Sequence, residues 1–205
     1  MRVFGYDFAE DPNDPYFAQD PGFNAPAGSG LPGGSQLSFN LLGSLSYWNG
    51  SGSPSFGALP SSESLRFNFG AQDRTVTAGS GFQTGFNLQT VNADGSMHRH
   101  LNSFLQGSDG NSIPAADGPW GAGDGIQAAD GIYLLSMQLT DSDPGTASSN
   151  PFWIVFNNGM PEQIHDEAID FVQSNIVPEP ASIGAMGLLI AAGVSRRSRR
   201  RRNTD

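Results

Sequence analysis

The residues best suited to chemistry in this sequence are its three histidines, because imidazole nitrogens bind metal ions. His98 and His100 flank Arg99 in a run, 97–105, that is typical of one β-strand. Alternate residues of a strand project to the same face, and a rise of about 3.3 Å per residue separates these two Cα atoms by about 6.6 Å. Two imidazoles at that spacing can bind one zinc ion, which needs a third or fourth ligand. His165 or a nearby carboxylate is the candidate for that ligand, and a solvated polar strand face is the alternative interpretation of the pair.

Acidic loops offer a second metal chemistry, because calcium takes several oxygen ligands from flexible loops. Asp141 and Asp143 form an Asp-x-Asp pair, and Asp109 and Asp124 lie in a glycine-rich stretch. The twelve-residue EF-hand pattern is absent, and solvated turn residues account for the same acidic positions. Zinc and calcium are therefore both candidate ions, and the sequence requires neither.

Two tryptophans near turns are candidates for stacking on sugar rings. Trp48 precedes the turn pair Asn49-Gly50, and Trp120 lies in the glycine-rich stretch. Trp153 belongs to an apolar run and is expected in the core. Because tryptophan is highly buried on average, a structural role competes with sugar binding for the first two as well. A carbohydrate-binding module, with exopolysaccharide as one partner, is thus an alternative function.

The sequence lacks the patterns that accompany common catalytic chemistry. It contains no cysteine and no lysine, which excludes thiol nucleophiles, cysteine-bound zinc and the lysine of a phosphate-binding loop. No Gly-x-Ser-x-Gly elbow precedes a predicted helix. We therefore predict that the protein is not an enzyme.

The charge distribution excludes one class of partner. The formal net charge is −10, and six of the ten arginines lie between positions 196 and 202. The remainder of the chain is consequently more acidic than the total suggests. Such a surface repels phosphate groups, so we expect no nucleic-acid binding.

Short apolar patterns between glycine- and proline-rich turns predict a mainly β fold. Leu37, Phe39 and Leu41 alternate with polar residues, which is the period of a half-buried strand. Apolar runs over 132–139 and 152–156 predict two strands that are buried on both faces. Many short strands of this kind favour a β-sandwich or jelly-roll-like body.

One α-helix is predicted near the end of the body, from about Pro161 to Gln173. Proline suits the first helical turn, and Glu162 complements the positive end of the helix dipole. One face of this helix carries the apolar residues Ile164, Ala168, Phe171 and Val172. We expect the helix to cap one end of the sandwich, so that residues 1–176 form the body and residues 177–205 form a separate tail.

The tail joins three segments of different physical character. Pro178 and Pro180 fix their own φ angles and hold the residues before them in extended backbone. An uncharged segment then predicts a short helix of about 20 Å, which is less than the roughly 30 Å core of a bilayer. Its large apolar residues are Ile183, Leu188, Leu189, Ile190 and Val194. A cluster of arginines, expected on the cytoplasmic side of a membrane, closes the chain at Arg196, Arg197, Arg199, Arg200, Arg201 and Arg202.

This order of segments resembles the PEP-CTERM sorting signal of bacterial exported proteins. The resemblance covers about Val177 to Arg202, and Pro178, Glu179 and Pro180 form its motif. It implies that an exosortase, a membrane transpeptidase-like enzyme, recognises the motif and removes the tail. It also implies that the short transmembrane helix holds the chain in the membrane before cleavage, and that the body then reaches the cell surface or the extracellular matrix. An ordinary C-terminal anchor with a basic stop is the alternative.

Export also requires an N-terminal signal peptide with an apolar stretch of about 7–15 residues. The first six residues are followed at once by Asp7, Glu10 and Asp11, which no such stretch contains. We therefore expect that translation starts upstream of Met1 or that the sequence is a fragment, so that the signal peptide is missing from it.

Overall fold

The computed structural model describes residues 2–8, 14–108 and 127–177 of the 205-residue chain. Strands dominate these ranges, so the prediction of a mainly β fold is confirmed. The strands are β1 (Val3–Asp7), β2 (Phe17–Ala18), β3 (Gly22–Ala25), β4 (Gln36–Leu41), β5 (Ser46–Trp48), β6 (Ser64–Phe69), β7 (Gln72–Val76), β8 (Gln83–Thr90), β9 (Met97–His100), β10 (Asn102–Gln106), β11 (Gly131–Asp141) and β12 (Phe152–Asn158). The predicted helix is present as α1 (Glu162–Phe171), which continues into a π-helical segment, Val172–Ile176.

The largest sheet contains six strands, in the order β1-β12-β11-β4-β8, with β5 also paired to β11. The long strand β11 has room for two partners in succession: its first part pairs with β5 and its second part with β4. The first strand, β1, lies parallel to β12, with Val3 opposite Trp153. The beginning of the described chain is therefore paired directly with the strand that leads into α1.

A second sheet has the order β2-β10-β6-β7, and β3 pairs with β9 as a separate ribbon. The prediction of one strand over residues 97–105 is wrong, because β9 and β10 belong to different sheets. The break falls at Leu101, which is fully buried and donates its backbone N–H to the carbonyl of Pro21. The buried face continues across the break, since Met97 and Leu105 are also buried, and the Leu101 N–H keeps a partner.

The two larger sheets enclose a common hydrophobic core. Phe39 of β4 and Phe67 of β6 meet edge to face with ring centroids 6.2 Å apart, and Phe67 lies 6.4 Å from Phe156 of β12. All three rings are fully buried. The predicted alternation of β4 is confirmed, since Leu37, Phe39 and Leu41 are buried while their neighbours are less so.

The helix α1 covers the outer face of the six-stranded sheet, and the prediction that it caps one end of the body is wrong. Ala168 and the following Val172 pack against Ile132, Leu134 and Val155 of the two central strands. Those strands are apolar on both faces, so their outer face also needs a cover. The acidic residues of the helix project into solvent, as expected: Asp166, Glu167 and Asp170.

Strand β8 lies at the end of the sheet order and is irregular. Its pairing with β4 shifts register twice, between Leu37 and Ser38 and between Ser38 and Asn40. Gly85 approaches β4 so closely that an added Cβ would lie within 2.3 Å of the Phe39 carbonyl oxygen. Arg74 of β7 reaches this strand and donates to the carbonyls of Thr84 (2.8 Å) and Gly85 (3.3 Å).

The described chain ends at Val177, which is extended with φ −70° and ψ 118°, as expected for a residue before proline. Within the described ranges, every helix is too short or too polar to cross a bilayer. The sorting motif, the short hydrophobic helix and the arginine cluster predicted after Val177 lie outside the described residues.

Candidate functional site

His98 and His100 project from the same face of β9, as their spacing predicts. Both side chains are exposed, and their ring centroids lie 5.0 Å apart in an edge-to-face arrangement. His100 Nδ1 donates to the backbone carbonyl of Gln19 at 2.7 Å, and His98 Nδ1 lies 3.2 Å from Asn24 Oδ1. These contacts use the Nδ1 atoms, so the pair offers its two Nε2 atoms as ligands.

His165 lies elsewhere, at the beginning of α1, on the face that contacts the six-stranded sheet. It is 2% exposed, and its Nε2 atom lies 3.0 Å from the backbone carbonyl of Val155 in β12. A carbonyl oxygen only accepts hydrogen bonds, so Nε2 carries the proton and donates it. The other ring nitrogen, Nδ1, is buried and has no hydrogen-bond partner.

Two carboxylates face this buried nitrogen. Asp7 Oδ1 at the end of β1 lies 3.5 Å from His165 Nδ1, and Glu162 Oε2 of α1 lies 3.9 Å from it. Glu162 and His165 are three residues apart in the helix, which places their side chains on one face. Asp7 reaches them because β1 runs beside β12 under the helix. The three ligand atoms lie within 4.8 Å of one another.

Neighbouring groups fix two of these three side chains. Asn157 Nδ2 donates to Asp7 Oδ1 at 2.8 Å and to the Met160 carbonyl at 2.9 Å, while Asn157 Oδ1 accepts the Met160 N–H at 3.0 Å. Gly5 of β1 lies under the imidazole, and an added Cβ there would come within 2.9 Å of His165 Nε2 and Cε1. The glycine therefore permits the close approach of the ring to the strand.

The structure does not bring the three predicted metal ligands into one site. His98 and His100 lie on the β3–β9 ribbon, whereas His165 groups with Asp7 and Glu162 across β1 and α1. Two signals could have pointed to the second group: a Glu-x-x-His spacing at the start of a helix and a glycine inside a strand. The sequence held no signal for Asp7 beside His165, because their contact depends on the parallel pairing of the first and last strands.

The structure supports the structural role for Trp48 and not the sugar-stacking alternative. Trp48, a candidate for sugar stacking, is 3% exposed, lies under α1 with Ile132, and donates its Nε1–H to the Ser51 carbonyl. Strand β5 is covered on both faces, so Trp48 is a core residue although a turn follows it. Trp120 lies outside the described residues.

The carboxylates considered for calcium are occupied by local hydrogen bonds where the structure describes them. Asp141 accepts from Ser35 and from the Asp143 N–H, and Asp143 accepts from the Gly145 N–H. Asp94, a carboxylate near His98 and a candidate third zinc ligand, is also engaged locally: Ser96 donates to it through its hydroxyl and its backbone N–H, and these bonds lower the pKa of Asp94. Such carboxylates shape turns. Asp109 and Asp124 lie outside the described residues.

A group of tyrosines lies near acidic residues on the other side of β11. The Tyr47 and Tyr133 rings lie 5.2 Å apart, and their hydroxyls donate to the carbonyls of Asp130 and Ala129. Burial, and then the charge of Glu63, raises the pKa of both phenols above the usual value. These tyrosines are therefore neutral structural groups near neutral pH.

An apolar cleft of about 270 Å³ opens beside β1 and β3. Its aromatic lining consists of Phe4, Tyr6, Phe23 and Phe152. Phe4 is 40% exposed and meets Phe152 edge to face, with ring centroids 5.9 Å apart. The cleft contains few polar groups that would orient a ligand.

No family model, curated protein or solved structure matches this chain. Arguments about function therefore depend on its own residues and geometry.

Proposed function

We propose that this chain is an exported bacterial protein of the cell surface or extracellular matrix, non-enzymatic, and delivered by a PEP-CTERM tail that an exosortase processes. The observation that carries the proposal is the order of three segments after Val177: the Pro178-Glu179-Pro180 motif, an uncharged apolar run and a terminal arginine cluster. The tripeptide alone is common, whereas the three segments in this order at a C-terminus are a specific pattern.

The geometry at the end of the body supports the proposal. The π-helical segment ends at Ile176, and Val177 is extended immediately before the motif. Prolines at positions 178 and 180 disfavour a continuing helix, so we expect a stiff break between α1 and the tail. A processing enzyme that reads an extended motif needs such a separation from the folded body.

The composition of the body also fits an exported surface protein. It contains no cysteine and no lysine, and it is acidic once the terminal arginines are set apart. A body held together by a hydrophobic core needs no disulfide bonds outside the cytoplasm. The proposal includes a jelly-roll-like sandwich for this body: two sheets around one core support it, and the parallel β1–β12 pair departs from an all-antiparallel order.

Cell fractionation tests this proposal. The chain is expressed behind a bacterial signal peptide, because the sequence as given is expected to lack one. An epitope inserted after Gly145, in the loop between β11 and β12, reports the position of the body in a bacterium that carries an exosortase. The epitope is expected in the surface or extracellular fraction. With Pro178→Ala/Glu179→Ala/Pro180→Ala, the unprocessed chain is expected to accumulate in the membrane fraction.

Asn203→Ala is the matched control, because it alters the tail outside the motif and the arginine cluster. Its processing should equal that of the natural sequence. An epitope found only in the cytosol, or normal processing of the triple variant, refutes the proposal.

Of the two alternative functions, a divalent-metal-binding exported protein keeps a structural basis in the histidines. The exposed pair His98 and His100 offers two imidazoles with ring centroids 5.0 Å apart. A carbohydrate-binding module loses Trp48 as a stacking residue, since that ring is buried.

A further inference from the structure

We propose that Asp7, Glu162 and His165 form a binding site for one divalent transition-metal ion, with zinc as the expected occupant. This site joins the first strand of the described chain to the helix that precedes the tail. It is independent of the exposed pair formed by His98 and His100.

The buried nitrogen of His165 is the first observation that points to a ligand. His165 Nδ1 is shielded from solvent, has no hydrogen-bond partner and is directed at two carboxylates that only accept hydrogen bonds when ionised. A buried lone pair facing two negative groups is unfavourable by itself. A cation among the three atoms removes this conflict, because it interacts favourably with all of them.

The two distances from His165 Nδ1 are close to those of a zinc site, and all three ligand atoms lie within 4.8 Å of one another. Two ligand atoms that each lie about 2.1 Å from a tetrahedral ion are about 3.4 Å apart. His165 Nδ1 lies 3.5 Å from Asp7 Oδ1 and 3.9 Å from Glu162 Oε2. The Glu162 side chain is 71% exposed, so it is free to move toward the other two ligands.

The hydrogen bonds to His165 and Asp7 from neighbouring groups are of the kind that orient metal ligands. A ligating histidine commonly donates its other ring N–H to a backbone carbonyl, which fixes the tautomer and the ring orientation. His165 Nε2 makes this bond to Val155 at 3.0 Å. Asn157 likewise orients Asp7 through a 2.8 Å bond. Both partners lie on β12 and are buried.

The ligand types favour zinc over calcium or magnesium. The site offers one imidazole and two carboxylates, whereas calcium and magnesium select oxygen ligands. Three protein ligands leave a fourth position for water. The helix N-terminus adds a positive charge of roughly half a unit, which the two carboxylates outweigh.

A proton on His165 Nδ1 is the alternative to a metal ion at this site. An imidazolium at His165 would form an ion pair with Asp7 and would remove the same conflict without a metal. The two occupants differ in one respect that can be measured: a proton leaves no dependence of stability on zinc, whereas a metal ion stabilises the folded chain by binding to it alone.

Calorimetric titration of the full chain, free of any histidine tag, with zinc chloride tests the site. The natural chain is expected to bind one ion at this site, and the ion is expected to raise the melting temperature. Glu162→Gln should weaken binding about tenfold or more and remove most of the rise in melting temperature. Because that side chain is exposed, the variant should keep the fold, as circular dichroism would verify.

Two control variants locate the ion. Asp166→Asn removes an exposed carboxylate from the same helix and should bind zinc as the natural chain does. His98→Ala/His100→Ala should keep the ion at the buried site. Cobalt, bound in place of zinc, should show a visible absorption spectrum that Glu162→Gln alters and His98→Ala/His100→Ala does not. An absence of zinc binding, equal affinity in Glu162→Gln, or loss of binding only in the double-histidine variant overturns the proposal.

Discussion

Replacing Gly5 by alanine tests whether the imidazole of His165 rests directly on strand β1. The new Cβ would lie 2.6 Å from Ile169 Cδ1 and 2.9 Å from His165 Cε1 and Nε2. Ordinary contacts between carbon atoms begin at about 3.5 Å. The isoleucine methyl can turn away, whereas the imidazole is held by its hydrogen bond to Val155.

The expected cost follows from three contributions. Overpacking of this kind costs about 1–3 kcal/mol, and weakening of the bond between His165 and Val155 costs about 1 kcal/mol more. Alanine also restricts the unfolded chain, which offsets about 0.4–1 kcal/mol. We therefore expect Gly5→Ala to lower the free energy of unfolding by about 1–3 kcal/mol.

Urea unfolding followed by circular dichroism measures this loss, with Gly57→Ala as the matched control. An added Cβ at Gly57 meets no atom within 4 Å, so that variant should stay within about 0.5 kcal/mol of the natural chain. In a His165→Ala background the cost of Gly5→Ala should fall, because the ring that it strikes is gone. Equal stability of the Gly5 and Gly57 variants would refute the packing of His165 on β1.

Two further predictions concern stability. Burial first, and nearby carboxylates second, raise the pKa of Tyr16, Tyr47 and Tyr133. Unfolded tyrosines ionise near pH 10. The free energy of unfolding should therefore be constant below about pH 10 and fall as the pH rises toward the folded-state pKa values. A urea midpoint that is unchanged well above pH 10 would contradict this prediction. Phe67→Ala should lower the free energy of unfolding by about 3–5 kcal/mol. Phe82→Ala, at a side chain that is 63% exposed, should leave it nearly unchanged in the same assay. Similar decreases in both variants would mean that Phe67 does not lie at the centre of the core.

Local patterns were sufficient to predict the elements that are buried in a regular way. The alternation at Leu37, Phe39 and Leu41 predicted β4, and the apolar runs predicted β11 and β12. The helix was also predicted to within about two residues at either end, because its apolar stripe and its first-turn proline are local signals. The extended backbone at Val177 followed from the proline after it.

Features that depend on distant parts of the chain were not predictable in this way. The turn after Trp48 left both a structural role and sugar stacking open, and the choice depends on the helix α1, more than a hundred positions later, which covers this ring. The split of the 97–105 run at Leu101 depends on which sheet each half joins. The contact of Asp7 with His165 depends on the parallel pairing of β1 with β12. Periodicity in sequence reports which face is buried, and it does not report what covers that face.

The irregular strand β8 also affects whether copies of this protein can associate through their sheet edges. A regular open edge is a template on which a second chain adds strand by strand. Two register shifts, together with the Arg74 guanidinium on the carbonyls of Thr84 and Gly85, interrupt the row of free hydrogen-bonding groups along β8. This edge therefore resists polymerisation of the protein through β-strand addition.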